Sequence, residues 1–407
     1  TYPEMKDPSP EYRLLAVARI WNVIALFYPY KHLIGDWDAV LPESIARMET
    51  AQGARGYALG LAAMAAHVAD GHTGLYGLPE LDRFFGEAPA PVGARWLEGA
   101  CVVTVVRDDP AVKATGVAVG DVVVSVDGKT VAERFAELEP YVTAATEGAR
   151  KTKLCGLSLL GAKDSTAVLT LRGREGNREV KLPRLPWARS PKTDEAVRLL
   201  PGRRSGDIGY VDLTRLEVSQ VDDMFEKLKD TRGIVFDMRG YPRGTAWSIA
   251  PRINTQGALK GATFRRAEVS GVFDSDVSES GFYFAQPLPL SSKWKYTGKT
   301  VMLIDERAIS QSEHSGLFYE AANGTKFVGT PSAGANGDVT DLTLPGGAEM
   351  FFTGHDVRHA DGRQLQRIGL VPDVPVAPTL QGLRDGKDEV LDRAMEVLNQ
   401  ELAESRP

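Results

Sequence analysis

The sequence of 407 residues contains no apolar run of the roughly 18 residues that a membrane-spanning helix requires. Its net charge of −6 and its pI near 5.7 argue against nucleic acid as the main partner. The first residues, Thr1-Tyr2-Pro3-Glu4, lack the pattern of a signal peptide and resemble the start of a processed chain. The composition, with 43% hydrophobic and 25% charged residues, is otherwise typical of globular proteins.

Cysteine is scarce, because Cys101 and Cys155 are the only two. That number excludes zinc and iron–sulfur sites built on cysteine. We expect two half-buried free thiols, with a disulfide as the alternative if their strands meet. The six histidines form no H-E-x-x-H pair, and the glycines around His355 and His359 predict a loop or hairpin there. We therefore expect neither a metal site nor a cofactor.

The hydrophobic pattern changes three times along the chain. Residues 11–70 have helical periodicity, with helices predicted over 12–28, 37–48 and 54–68. A Pro- and Gly-containing stretch near 80–97 precedes a β-rich module, with strands predicted over 100–106, 121–126, 165–172 and 178–182. From residue 208, strands and helices alternate, which indicates a largely parallel sheet. An amphipathic helix is predicted over 388–403.

The most informative stretch runs from Val301 to His314, where an apolar strand ends in a polar turn and a serine opens a helix predicted over 311–322. A helix N-terminus presents free backbone N–H groups, which a nucleophilic serine needs beside it to stabilise an oxyanion. The alternative reading is a helix cap, in which Ser310 and Glu313 form a capping box.

A nucleophilic serine needs a base, and His72 is the best candidate because Gly71 and Thr73 flank it in a turn. The alternative is a histidine placed near a helix C-terminus by the macrodipole. His314 lies one turn after Ser310 on the same helix and ranks below His72. The glycine-containing loop 237–244 follows a predicted strand and offers a second oxyanion donor. The loop 329–337 lacks the lysine of a phosphate-binding loop.

The order of these features resembles the tail-specific, or C-terminal processing, serine peptidases and their tricorn-core relatives. The resemblance covers nearly the whole chain. It depends on Trp21-Asn22-Val23, Phe27-Tyr28-Pro29-Tyr30, Asp70-Gly71-His72-Thr73, Gly116-Val117-Ala118-Val119-Gly120-Asp121 with Asp127-Gly128, Asp237-Met238-Arg239-Gly240, Ser310-Gln311-Ser312-Glu313, the loop 329–334 and Gly369-Leu370-Val371-Pro372-Asp373.

By position, the resemblance implies that Ser310 is the nucleophile and His72 is the base of the tricorn-like branch. It also implies that the oxyanion donors are the N–H of Gln311 and one N–H of the loop 237–244, with Gly244 first and Gly240 second.

The sequence departs from the family pattern at three positions. Ala335 stands where the Ser–Lys branch has its lysine, so a Ser–Lys dyad is not supported. Gly71 replaces the serine before the histidine, and Gln366 replaces the orienting glutamate. We expect the Gln366 amide to orient His72, with Asp70 and Glu313 as the alternatives.

The predicted fold is an α/β core of the ClpP/crotonase-like layered type with an N-terminal helical region and an inserted PDZ-like β-rich domain. We predict domains at 1–80, 90–188 and 195–407. The predicted function is peptide-bond hydrolysis through an acyl-enzyme on Ser310, with the PDZ-like domain binding or gating the peptide. The alternatives are a catalytically weak peptide-binding protein and a serine hydrolase acting on esters or on a specialised small peptide. The expected partner is a peptide or protein substrate, and the resemblance implies an exported, periplasmic or secreted protein.

Overall fold

The computed structural model describes residues 2–186, 195–201, 205–267 and 281–404. The helices are α1 (Pro10–Phe27), α2 (Trp37–Thr50), α3 (Gly53–Ala66), α4 (Pro79–Phe85), α5 (Pro110–Lys113), α6 (Val131–Leu138), α7 (Glu147–Ser158), α8 (Val221–Leu228), α9 (Ala246–Ile253), α10 (Gln311–Asn323), α11 (Leu380–Arg384) and α12 (Glu389–Glu404). No helix among these residues is long and apolar enough to cross a bilayer.

The strands follow the same chain order. They are β1 (Gly74–Tyr76), β2 (Ala88–Pro89), β3 (Val92–Leu97), β4 (Ala100–Val106), β5 (Val122–Val126), β6 (Lys129–Thr130), β7 (Leu160–Gly161), β8 (Thr166–Gly173), β9 (Gly176–Pro183), β10 (Val197–Pro201), β11 (Ser205–Asp212), β12 (Gly233–Asp237), β13 (Lys260–Ala267), β14 (Gly281–Pro287), β15 (Lys299–Ile304), β16 (Lys326–Gly329), β17 (Val339–Thr343), β18 (Glu349–Thr353), β19 (Asp356–His359) and β20 (Val374–Pro375).

The chain divides into two compact units. Unit 1 comprises residues 1–192, 339–352 and 378–387, and unit 2 comprises the rest of the chain. The division into three domains with the predicted boundaries stays a prediction.

The N-terminal helices of unit 1 form where the sequence predicts them. Pro10 starts α1, since a proline in the first turn loses no intrahelical hydrogen bond. Asp36 caps α2 by accepting from the Ala39 N–H at 3.1 Å. The buried faces of α1 and α3 share one apolar core with side chains of β17 and β18, including Leu342 and Met350. The later segment 339–352 thus completes the core of the N-terminal helices.

The β-rich module of unit 1 is an antiparallel sheet in the order β3-β4-β5-β8-β9, packed with α6 and α7. Cys101 on β4 and Cys155 on α7 form a disulfide, and both are almost fully buried. The expectation of two free thiols was therefore wrong. Helix α7 packs on the sheet mainly at β3, the neighbour of β4, and periodicity along the chain does not predict this packing.

Unit 2 is built on a six-stranded sheet in the order β10-β11-β12-β15-β16-β20, in which every pairing from β11 onward is parallel. Strands β12 and β15 are buried along almost their whole length because apolar side chains pack on both faces. Helices α9 and α10 contribute to the core on one face, and α12 covers the other. The predicted α/β core is confirmed.

Candidate active site

The loops that carry the candidate residues of unit 2 start at one edge of the sheet. Asp237 at the end of β12 pairs with Leu303 near the end of β15, and the two strands are parallel. Their carboxyl ends therefore meet at the edge where such sheets bind ligands. The Ser312 hydroxyl donates to the Gly240 carbonyl at 2.7 Å, which fastens the loop after β12 to the start of α10.

Ser310 immediately precedes α10 and has a backbone conformation that few L-residues adopt. Its φ is +57° and its ψ is −117°, a region that glycine favours. Its N–H donates to the Ala335 carbonyl at 2.9 Å and to the Glu313 carboxylate at 3.2 Å. Such strain persists only where the surroundings enforce it, and it concentrates at functional sites.

Glu313 joins the start of α10 to the glycine-rich loop after β16. Its fully buried carboxylate accepts from the Ser332 hydroxyl at 2.5 Å, the Gly334 N–H at 2.7 Å and the Ala335 N–H at 3.0 Å, besides the Ser310 N–H. Burial raises the pKa of Glu313 to about 7, against these four hydrogen bonds, which lower it. The capping-box contact, in which Glu313 accepts from the Ser310 N–H, is thus present, and it is part of a larger network that the sequence does not predict.

The two glycines proposed as oxyanion donors differ in their backbone contacts. The Gly240 N–H already donates to the Met238 carbonyl at 2.7 Å. Gly244 has a φ of +76°, and its N–H donates no hydrogen bond among the described residues. Gln311 is the first residue of α10, where a backbone N–H has no intrahelical acceptor. Gly244 and Gln311 are therefore better suited than Gly240 to donate to a ligand.

A buried ion pair fixes the start of the loop 237–244. Arg239 contacts Asp237 at 2.6 Å and Asp388 at 2.7 Å, and the Tyr210 hydroxyl donates to Asp237 at 2.7 Å. Burial alone would raise the pKa of Asp237, but Arg239 and Tyr210 bring it down to about 2. This ion pair was not predicted from the sequence, although Asp237 and Arg239 are only two residues apart.

Gln366 belongs to unit 2, like Ser310, and its side chain is fully buried. The next residue, Arg367, donates its N–H to the Gly334 carbonyl at 2.8 Å. Gln366 thus lies on a segment bonded to the loop that Glu313 holds. Ala335, where one branch of the family has a lysine, is fully buried in that loop.

His72 belongs to unit 1 and lies in a turn after α3. Its N–H donates to Asp70 Oδ1 at 3.2 Å, and the Thr73 N–H donates to the Asp70 carbonyl at 3.1 Å. Helix α3 ends at Ala66, and its C-cap is His67. The histidine placed to interact favourably with the helix dipole is therefore His67, not His72. The helix-terminus explanation therefore does not account for His72.

His314, the lower-ranked candidate base, is buried among aromatic rings in unit 2. It stacks on Trp247 with ring centroids 6.0 Å apart, and its Nε2 lies 2.5 Å from Gln286 Oε1. Burial lowers the pKa of the His314 imidazole to about 4, so the ring is neutral at pH 7. Its surroundings are those of a packed core side chain.

Comparisons with known proteins agree with this architecture. Residues 207–376 match the model of peptidase family S41, and residues 74–152 match a PDZ domain model. No curated protein matches the chain in sequence.

Several solved structures have a similar fold. Mature CPAF in complex with lactacystin has a TM-score of 0.71 at 15% identity, covering 96% of this chain and 98% of that one. The photosystem II D1 C-terminal processing protease has a TM-score of 0.55 at 18% identity, covering 95% and 97%. A putative peptidase from Parabacteroides merdae has a TM-score of 0.55 at 16% identity, covering 96% and 97%.

The resemblance to the tail-specific peptidases is confirmed by these matches. Residues 207–376 form a family S41 peptidase domain, and the chain is a serine-type peptidase that also carries a PDZ domain.

Proposed function

We propose that the protein hydrolyses peptide bonds through an acyl-enzyme on Ser310. The supporting observation is the backbone of Ser310, held at a φ of +57° at the start of α10 by its bonds to Ala335 and Glu313. The position of Ser310 at the start of α10 supports the proposal, because the N–H groups of a helix N-terminus can stabilise the oxyanion of acyl transfer.

In the proposed mechanism, His72 removes the proton of the Ser310 hydroxyl as the oxygen attacks the peptide carbonyl. The N–H groups of Gln311 and Gly244 stabilise the resulting oxyanion, with Gly240 now ranked lower because its N–H is already used. His72 then donates the proton to the leaving amine, and water releases the acyl group by the reverse sequence. Gln366 orients the imidazole through its amide oxygen.

The PDZ domain is proposed to bind an extended segment or the C-terminus of the substrate by strand addition. We further propose that the protein works in an oxidising compartment. The buried disulfide between Cys101 and Cys155 supports this location, because such bonds are rare where thiols are kept reduced.

The test of the proposed function is labelling with a fluorophosphonate probe together with a peptide-hydrolysis assay. Ser310→Ala should abolish labelling and hydrolysis, and His72→Ala should lower both by orders of magnitude. Ser315→Ala, one turn further along α10, is the matched control and should keep both.

Labelling of Ser310→Ala at the normal rate would contradict the assignment of the nucleophile. Absence of labelling in the unmodified protein would favour the peptide-binding alternative. A panel of peptides and esters then separates a peptidase from an esterase, since the proposal expects the highest kcat/KM for a peptide.

A further inference from the structure

The turn that carries His72 is fastened to α7, the helix that begins inside the PDZ domain. Thr143, which lies just before α7, donates its hydroxyl to the Thr73 carbonyl in a buried hydrogen bond. Thr73 directly follows His72 and is itself buried. The imidazole is therefore one residue away from a direct contact with the PDZ region.

Lys153 on α7 also contacts Thr143. Its side chain is partly in solvent, but its ammonium group reaches inward to the Thr143 carbonyl at 2.9 Å and the Thr143 hydroxyl at 3.3 Å. Because the ammonium group also donates to the hydroxyl, it directs the hydroxyl proton toward Thr73. Lys153 thus orients Thr143 toward the histidine turn.

The turn 70–73 also carries a negative charge, on Asp70, which is opposite to the charge of Lys153. Asp70 is fully buried and accepts from the His72 N–H. Burial lowers the pKa of Lys153, and the negative charge of Asp70 opposes that decrease. The buried carboxylate of Asp70 and the ammonium group of Lys153 therefore attract each other.

Helix α7 is itself a fixed support. Leu154 and Cys155, the two residues after Lys153, are almost fully buried, and Cys155 is bonded to Cys101 on β4. The backbone at Lys153 therefore cannot move without disturbing the core of the β-rich module.

We propose that Lys153 and Thr143 are positioning residues for His72, holding the turn 70–73 against α7 so that the PDZ region sets the orientation of the imidazole. This inference rests on the proposed role of His72 as the base. A catalytic group displaced by about 1 Å can cost roughly 100-fold in rate, so a support one residue away should affect turnover.

The experiment compares Lys153→Met and Thr143→Val with Lys151→Met, which removes a lysine from the same helix. The first two variants should lower kcat by about tenfold or more while KM changes less than about twofold, because the base is displaced and the substrate sites are kept. Lys151→Met should keep the original kcat. Thr143→Ser retains the hydroxyl and should restore most of the rate lost in Thr143→Val.

A second measurement does not depend on turnover. With ¹³C-labelled histidine, the Cε1 resonance of His72, assigned by its loss in His72→Ala, should shift in Lys153→Met and Thr143→Val and stay in place in Lys151→Met. Unchanged His72 resonances in both test variants would overturn the positioning role, whatever the activity. Full peptidase activity of His72→Ala would instead overturn the proposed base, and the resonance shifts would still decide whether the turn is held by α7.

Discussion

Ser310 and His72 are anchored in different ways. The serine is fixed through its own backbone N–H, which has two acceptors, and through Glu313, whose carboxylate also holds the loop after β16. The backbone N–H of the histidine donates to one carboxylate, that of Asp70, and the turn is also held through Thr73, whose carbonyl accepts from Thr143. The proposed nucleophile thus lies at the sheet edge of unit 2, whereas the proposed base depends on contacts inside unit 1.

The largest expected effect concerns the base. His72→Ala should lower kcat/KM by about 10³-fold or more, because the proton of Ser310 then has no acceptor. Hydrolysis of a chromogenic peptide measures this loss. His67→Ala, at the C-terminus of α3, is the control and should retain activity. Equal losses in the two variants would mean that His72 has no special role.

Removal of the disulfide tests how much this bond stabilises unit 1, the unit that contains His72. Replacing Cys101 and Cys155 with Ala should lower the free energy of unfolding by about 2–4 kcal/mol, since the bond closes a segment with a sequence separation of 54. Urea unfolding followed by circular dichroism measures the change. Reductant should destabilise the unmodified protein and leave the double variant unaffected; equal sensitivity in both would contradict the expectation.

The pH dependence of the free energy of unfolding tests the contribution of Glu313, which holds the start of α10 near Ser310. Its carboxyl ionises near 4.5 when exposed and near 7 in the folded protein. As pH rises from 4.5 to about 7, the unfolded state loses this proton first, so the free energy of unfolding should fall, by about 3 kcal/mol in total.

Denaturant titrations at pH 4.5, 6 and 7.5 measure this dependence. Glu313→Gln has no proton to lose and should flatten the decrease, whereas Glu396→Gln on the exposed face of α12 should keep it. A decrease of the same size in Glu313→Gln would assign the effect to other groups.

The smallest expected effect concerns Gln366, the proposed orienting group. Gln366→Ala should lower kcat by about tenfold with little change in KM, because an orienting group acts on the transition state. Gln366→Glu introduces the carboxylate that the family pattern has at this position and should retain more activity than Gln366→Ala. Steady-state kinetics separate kcat from KM. An unchanged kcat in Gln366→Ala would show that another group orients His72.

The sequence predicts the elements of unit 2 well because periodicity and strand length are local properties. Helix α10, predicted over 311–322, spans Gln311–Asn323. The position of Ser310 at the start of a helix follows from the same local pattern.

Other features depend on contacts between distant segments and could not be predicted in this way. The capping-box reading identified one of the four donors to Glu313, but the other three come from a loop about 20 residues later. The disulfide was missed because its formation depends on how α7 packs on the sheet that contains β4. Likewise, no local pattern indicates that the segment 339–352 joins the N-terminal helices.

The positive φ of Ser310 has a consequence for the evolution of this protein. Glycine adopts that conformation without strain, so Ser310→Gly would relieve an unfavourable backbone of the order of 1 kcal/mol while removing the hydroxyl. Selection for a more stable chain alone would therefore tend to replace Ser310 with glycine. A serine at such a position is what one expects when activity, rather than stability, is under selection.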